Sequence, residues 1–287
     1  MVKVYRIAQI DLQLNDDHLF FAALRPFEID LQAAKDPIVV CYDAHTQMPK
    51  QPDKLLDTFN FTDAGAICKL YKTTDGYNFT MTRSDRPTVC FEIPTLGPVR
   101  CNCTSNDDPS LFRFGLWMVF NLRASARGVL AIHASVLIHH EAAVLCLGES
   151  GTGKSTHTRL WREHIPATEL LNDDSPMIAI HHDVATVYGS PWSGKTPCYR
   201  NLHYPIKGFL RLSQAPENEI IKLSTLRAYG ALQPSMPPSF SHDDELFDRV
   251  NNLLSELLRQ TPVYHLKCLP NQEAAQLAHY TLYNSTT

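Results

Sequence analysis

The stretch Gly148-Glu149-Ser150-Gly151-Thr152-Gly153-Lys154-Ser155 decides how this chain is read. An apolar run, Val144-Leu145-Cys146-Leu147, leads into it, and a helical pattern follows over residues 154–164, stopping near Pro166. Strand, glycine-rich turn and helix, in that order, are the setting in which such a turn cradles phosphate. Gly148, Gly151 and Gly153 let the backbone turn tightly and bring its amides against anionic oxygens. The opening of the helix adds its positive end. Lys154 is then expected to bridge the β- and γ-phosphates of a nucleoside triphosphate, while the Ser155 hydroxyl ligates Mg2+. Ser150, Thr152 and Thr156 complete the expected binding set, and ATP with Mg2+ is the expected pair of ligands.

Downstream, a short strand over residues 169–171 ends in Asn172-Asp173-Asp174. Adjacent carboxylates at a strand end suit a phosphoryl centre: one can hold the metal while the other accepts a proton. A plain turn with two exposed acids is the other reading. Upstream lies His133, in Ile132-His133-Ala134-Ser135-Val136; a lone histidine among apolar residues is most often a packed core side chain. The loop Ser190-Pro191-Trp192-Ser193-Gly194-Lys195 carries a cation, and Arg200 follows. Lys195 and Arg200 either neutralise developing charge or are solvated. His139, His140, His157, His181 and His182 have no metal-ligand spacing and read as turn or surface residues.

Two halves differ in pattern. Residues 1–106 look mostly β, with strand-like runs at 2–14, 37–42, 88–93 and 97–102. The segments 66–74 and 77–83 flank Asp75-Gly76, a hairpin signal. Residues 107–287 alternate strand and helix. A helix over 107–126, with Asp108 and Ser110 as caps and Pro109 in its first turn, is apolar on most faces and so expected to be buried. An apolar strand is expected over 129–138, a second over 142–147, and a hairpin from 176–180 and 185–188. A helix over 243–260 has Ser241 and Asp244 in capping-box positions and a leucine-rich stripe.

Composition bounds the rest. The formal net charge is −4 with no arginine- or lysine-rich run, so nucleic acid and anionic membranes are not expected partners. The first residues alternate apolar and polar, without the apolar core of a secretory signal, so a cytoplasmic location is expected. The eight cysteines are widely spread and expected to be reduced thiols. Cys101 and Cys103 are too close for a zinc knuckle.

Taken together, Ile132-His133-Ala134-Ser135-Val136-Leu137, the turn from Leu147 to Thr156, and Leu171-Asn172-Asp173-Asp174 resemble the catalytic domain of HPr kinase/phosphorylase. That domain belongs to the phosphoenolpyruvate carboxykinase-like group, and the resemblance covers roughly residues 125–215. It implies a P-loop kinase-like domain over residues 107–287, and with the β-patterned first half the expected chain is α/β (α+β): a β-rich N-terminal domain over 1–106, then that kinase-like domain. It also implies that His133 sits near the reacting phosphate, that Asp173 is the base activating a hydroxyl, and that Asp174 is the metal partner. The family's glycine-rich signature after the Asp pair and its basic C-terminal loop are not found. Ile206-Lys207-Gly208-Phe209-Leu210-Arg211-Leu212 is more similar to the HPr-kinase-related proteins found beside peptide-modification systems. The expected activity is transfer of a γ-phosphoryl group to a hydroxyl, on a protein serine or a small molecule, with a homo-oligomer among the family's expectations. A nucleotide-binding switch with little catalysis is the alternative, and carboxykinase chemistry a third on which the short chain tells.

Overall fold

A computed structural model of the chain describes residues 2–15, 21–47, 54–149, 151–194 and 196–284. Two compact units result, Met1–Arg127 with Ser239–Phe247, and Gly128–Pro238 with Asp248–Thr287. The described part is mixed α and β, built on two large sheets.

The first unit holds strands β1 (Lys3–Ile7), β2 (Ile10–Leu14), β3 (Glu28–Ile29), β4 (Ile38–Tyr42), β5 (Lys54–Phe61), β6 (Ala66–Thr73), β7 (Gly76–Thr82), β8 (Val89–Pro94) and β9 (Val99–Cys101). They form one sheet in the order β3-β1-β2-β4-β9-β8-β7-β6-β5. The Asp75-Gly76 signal marks the β6–β7 hairpin, with Thr73 opposite Gly76. Besides the short α1 (Phe21–Leu24), this unit contains α2 (Pro109–Ser125), capped by Asp108, whose side chain accepts from the Leu111 amide. Helix α2 packs on β7 and β8 and belongs to the first unit, whose leading segment runs to Arg127.

Segment 239–247 is bound into the first unit by polar contacts. Asp57 accepts from the Ser239 hydroxyl at 2.8 Å, and Asp243 pairs with Lys72 at 2.6 Å. Asp243 also caps helix α5 (Asp244–Gln260), accepting from the Leu246 amide at 3.1 Å. The cap is therefore Asp243 and not the Ser241–Asp244 pair that the spacing favoured. Leu246, Val250, Leu253, Leu254 and Leu257 of the expected stripe are buried, whereas Phe247 is exposed.

The second unit holds β10 (Leu130–Ala131), β11 (Ser135–His139), β12 (Ala142–Leu147), α3 (Lys154–His164), β13 (Thr168–Asn172), β14 (Met177–His181), β15 (Val184–Tyr188), β16 (His203–Gln214), β17 (Glu219–Lys222), α4 (Thr225–Leu232), β18 (Val263–Cys268) and α6 (Gln272–Tyr283). The sheet runs β10-β14-β15-β16-β12-β11-β13, with β18 on β16 and β17 on β18. The twelve-residue β16 is its backbone, parallel to β12 and β18 and antiparallel to β15. The single strand expected over 129–138 is two strands with a break at 132–134, because β10 pairs with β14 and β11 pairs with β12 and β13.

Helices α3 and α6 cover one face of this sheet. Trp161 and Leu160 from α3, Ala275, Ala278 and Leu282 from α6, and Leu137, Val144, Leu210 and Leu266 from the strands form one apolar cluster. All eight cysteines are free thiols. Among the described residues no helix is long and apolar enough to cross a membrane.

Two stability predictions follow from this packing. Trp161 is fully buried, so Trp161→Ala should destabilise the second unit by about 3–5 kcal/mol in urea unfolding; a loss under 1 kcal/mol would contradict the packing. The second prediction concerns Asp243. Burial pushes its carboxyl up, but hydrogen bonds from Lys72, the Leu246 amide and Tyr77 outweigh this and hold it below its ordinary value. A depressed folded pKa means its stabilisation is complete above the unfolded carboxyl range and is lost as pH falls through the folded value. The stability gap between wild type and Asp243→Asn should therefore shrink below about pH 4. A gap equal at pH 7 and pH 3 would rule this out.

Candidate functional site

The glycine-rich turn joins β12 to α3. Gly148 sits so close to the Thr152 hydroxyl that any Cβ would collide with it. Gly153, the residue before α3, has φ of 102°, which favours glycine. Thr152 closes the turn on itself, its amide and hydroxyl both donating to the Glu149 carbonyl, at 3.2 and 2.8 Å. Gln214 at the end of β16 braces it by donating to the Gly151 carbonyl at 3.2 Å. The first turn of α3 leaves amides without intrahelical acceptors, as any helix does. Ser155 is exposed there and Thr156 half-buried. Ser150 lies outside the described residues.

Lys154 bends back over the turn. Its ammonium donates to the Gly148 carbonyl at 2.5 Å and the Glu149 carbonyl at 3.3 Å, and meets His133 Nε2 at 3.0 Å. Burial lowers its pKa, opposed by the nearby Asp174 carboxylate. His133 is exposed, in the break between β10 and β11, so it is not a packed core side chain. Its Nδ1 lies 3.3 Å from Asp174 Oδ1. An ammonium can only donate, so Nε2 is the acceptor and the imidazole proton is on Nδ1, facing the carboxylate. Asp174, His133 and Lys154 thus lie in one line of polar contacts at the mouth of the turn.

The backbone brings these residues together. The Asp pair lies between β13 and β14, level with the break at 132–134. The Ile132 amide donates to the Pro176 carbonyl at 3.1 Å and the Ala134 amide to the Asp174 carbonyl at 3.0 Å. The His133 amide donates to the Ser235 carbonyl at 2.7 Å.

Asp173 points elsewhere. Its Oδ1 accepts from the Ser193 hydroxyl at 2.6 Å and the Gly194 amide at 2.8 Å, and its Oδ2 from the Thr196 amide at 3.0 Å. These donors clasp the carboxylate to the 193–196 loop. Asn172, fully buried, sets the turn: its Oδ1 accepts from the amides of Asp174 and Ser175 at 2.9 and 3.0 Å. Its Nδ2 faces the carbonyls of Ser190 and Trp192 at 3.4 and 3.3 Å. Ser190 completes the network by donating to the Ser175 carbonyl at 2.6 Å.

Arg200 is engaged by Glu169 at 2.5 Å. Glu169 is four residues back along β13 from Asp173, on the order of 13 Å at a strand's rise, so Arg200 is not gathered with the others. Lys195 lies outside the described residues. Two histidines read as turn or surface residues are buried: His139 at the end of β11 and His157 on α3. Sequence reasoning passed over Asn172, Ser190 and Ser193 as positioning residues. An Asn followed by two amides that it can accept is the signal of an Asx turn, and it was legible at Asn172.

Truncating Asn172 leaves buried donors and acceptors unmatched. Asn172→Ala should cost about 2–4 kcal/mol of stability and open the 190–196 loop to limited proteolysis. Wild-type resistance with wild-type stability would show that the network is dispensable. No protein-family model and no curated protein matches this chain, so geometry and chemistry carry the functional reading.

Proposed function

We propose that the second unit is an ATP- and magnesium-dependent phosphotransferase that moves a γ-phosphoryl group to a hydroxyl, and that the chain is an HPr-kinase-related protein. The observation that carries this reading is the Asp174–His133–Lys154 chain at the mouth of the glycine-rich turn. Phosphate oxygens are stronger acceptors for an ammonium than carbonyls or an imidazole. A triphosphate on the turn therefore draws Lys154 away from His133, leaving Nε2 with a free lone pair. Nδ1 stays fixed by Asp174, the arrangement that orients a histidine as general base.

As the acceptor oxygen bonds to the γ-phosphorus, the bond from that phosphorus to the β–γ bridging oxygen breaks and the nucleoside diphosphate leaves. The acceptor's proton passes to His133 Nε2. The family resemblance implied Asp173 as base; its oxygens are occupied by three donors, so here it positions the 193–196 loop. Magnesium, when bound, spreads charge off the β- and γ-phosphates. Ser155 and Asp174 fit it, as hard oxygen donors within solvent reach, since Mg2+ takes one or two protein oxygens and fills its shell with phosphate and water. The acceptor is a protein serine or a small hydroxylated molecule.

Lys154→Ala should weaken ATP binding, measured by calorimetry with Mg2+, by about 1.5–3 kcal/mol, the worth of a charged hydrogen bond; unchanged affinity would sink the assignment of the turn. With an acceptor identified by radiolabelled transfer, His133→Gln should lower turnover about 10²–10⁴-fold while ATP binding largely survives. Turnover that survives His133→Gln and collapses in Asp173→Asn would return the base to Asp173. A wild-type chain that binds ATP and transfers to no hydroxyl and no water would be a nucleotide-operated switch.

A further inference from the structure

Beside the glycine-rich turn is a cleft of about 370 Å³, at the small end of the roughly 300–1,000 Å³ that ligand cavities span. Gly151, Thr152 and Gly153 form one wall, so whatever the turn anchors leads directly into it. The remaining lining is largely apolar, with Leu160, Leu212, Ala215, Leu269 and Pro270. His157 of α3 lines it too and is only 3% exposed.

The state of His157 is dictated by its neighbour. The Trp161 indole N–H can only donate, and it donates to His157 Nε2 at 3.0 Å. Nε2 is therefore unprotonated and Nδ1 carries the hydrogen. Burial also lowers the pKa of this imidazole to about 4, so it is neutral near pH 7. Among the described residues Nδ1 has no hydrogen-bond partner. That Nδ1–H is therefore a donor left over on a residue that lines the cleft.

We infer that this cleft seats the heteroaromatic base of the nucleotide, with the His157 Nδ1–H donating to an acceptor on the ring and the apolar walls covering its faces. The inference rests on the nucleotide reading above and adds where the nucleoside lies. An apolar slot with one directional donor suits a flat ring whose edge carries nitrogen acceptors. A bare phosphate chain uses neither feature.

The test is calorimetric titration of the full chain with ATP and with inorganic tripolyphosphate, each with Mg2+. Wild type should bind ATP at least about tenfold tighter. Ala215→Trp, which fills the cleft, should abolish that advantage and leave tripolyphosphate unchanged. His157→Leu should weaken ATP about 3- to 10-fold, the worth of one neutral hydrogen bond, and His157→Gln should recover much of it by keeping a donor and an acceptor. Equal wild-type affinity for the two ligands, or an ATP advantage that survives Ala215→Trp, overturns the base seat and leaves the phosphate-binding turn standing. Binding of neither ligand overturns both. Should His157→Leu fail to fold, Ala215→Trp still decides.

Discussion

The candidate site depends on two neighbouring stretches of chain leaving their ladders at the same level. Between β10 and β11, and between β13 and β14, the strands exchange partners. Buried amides and carbonyls at such breaks must still be matched. They are matched with each other, Ile132 to Pro176 and Ala134 to Asp174. His133 and Asp174 therefore meet because main-chain pairing puts them there, and their own attraction is secondary. Side chains held this way need little reorganisation before chemistry, which is what an electrostatically assisted transfer demands.

Around this junction, polar and apolar supports divide the work. Asn172 and Ser190 lock the Asp turn to the following loop from inside, with no exposed partner to lose to solvent. On the other side of β12, the Trp161 cluster seats α3 against the sheet, and the helix carries Lys154 at one end. A polar network fixes orientation, since its bonds are directional. Dense apolar packing fixes distance, since interiors yield little.

Much of the arrangement was legible in the sequence because its signals are local. The spacing of Gly148, Gly153 and Lys154, the apolar run before them and the helix after them all bear on a dozen consecutive residues. Asp75-Gly76 announced the β6–β7 hairpin for the same reason. What escaped reading depends on distant pairing. Residues 129–138 look like one apolar strand, and only the competing partners β14 and β13 reveal the break that exposes His133. The length of β16 is set by three neighbours in the sheet, while its own sequence contains Pro205 and Gly208. Helix α6 follows Asn271, whose side chain caps it, yet its alanine-rich face means little without the sheet it covers. The separate duties of Asp173 and Asp174 are beyond any spacing argument, since adjacent residues at a strand end diverge only in three dimensions.

The posture of Lys154 has a consequence for ion selectivity. The lysine is already engaged by its own turn, through two carbonyls, and by an imidazole. On the proposed phosphate-binding reading, the chain thus carries an internal competitor at that turn. Chloride, or a single inorganic phosphate, must displace that set with only a few contacts of its own. Linked phosphates present successive oxygens from one tethered molecule, so each contact after the first forms at high effective concentration. On that reading, discrimination against abundant small anions resides in the turn's own contacts, before any ligand is recognised by shape.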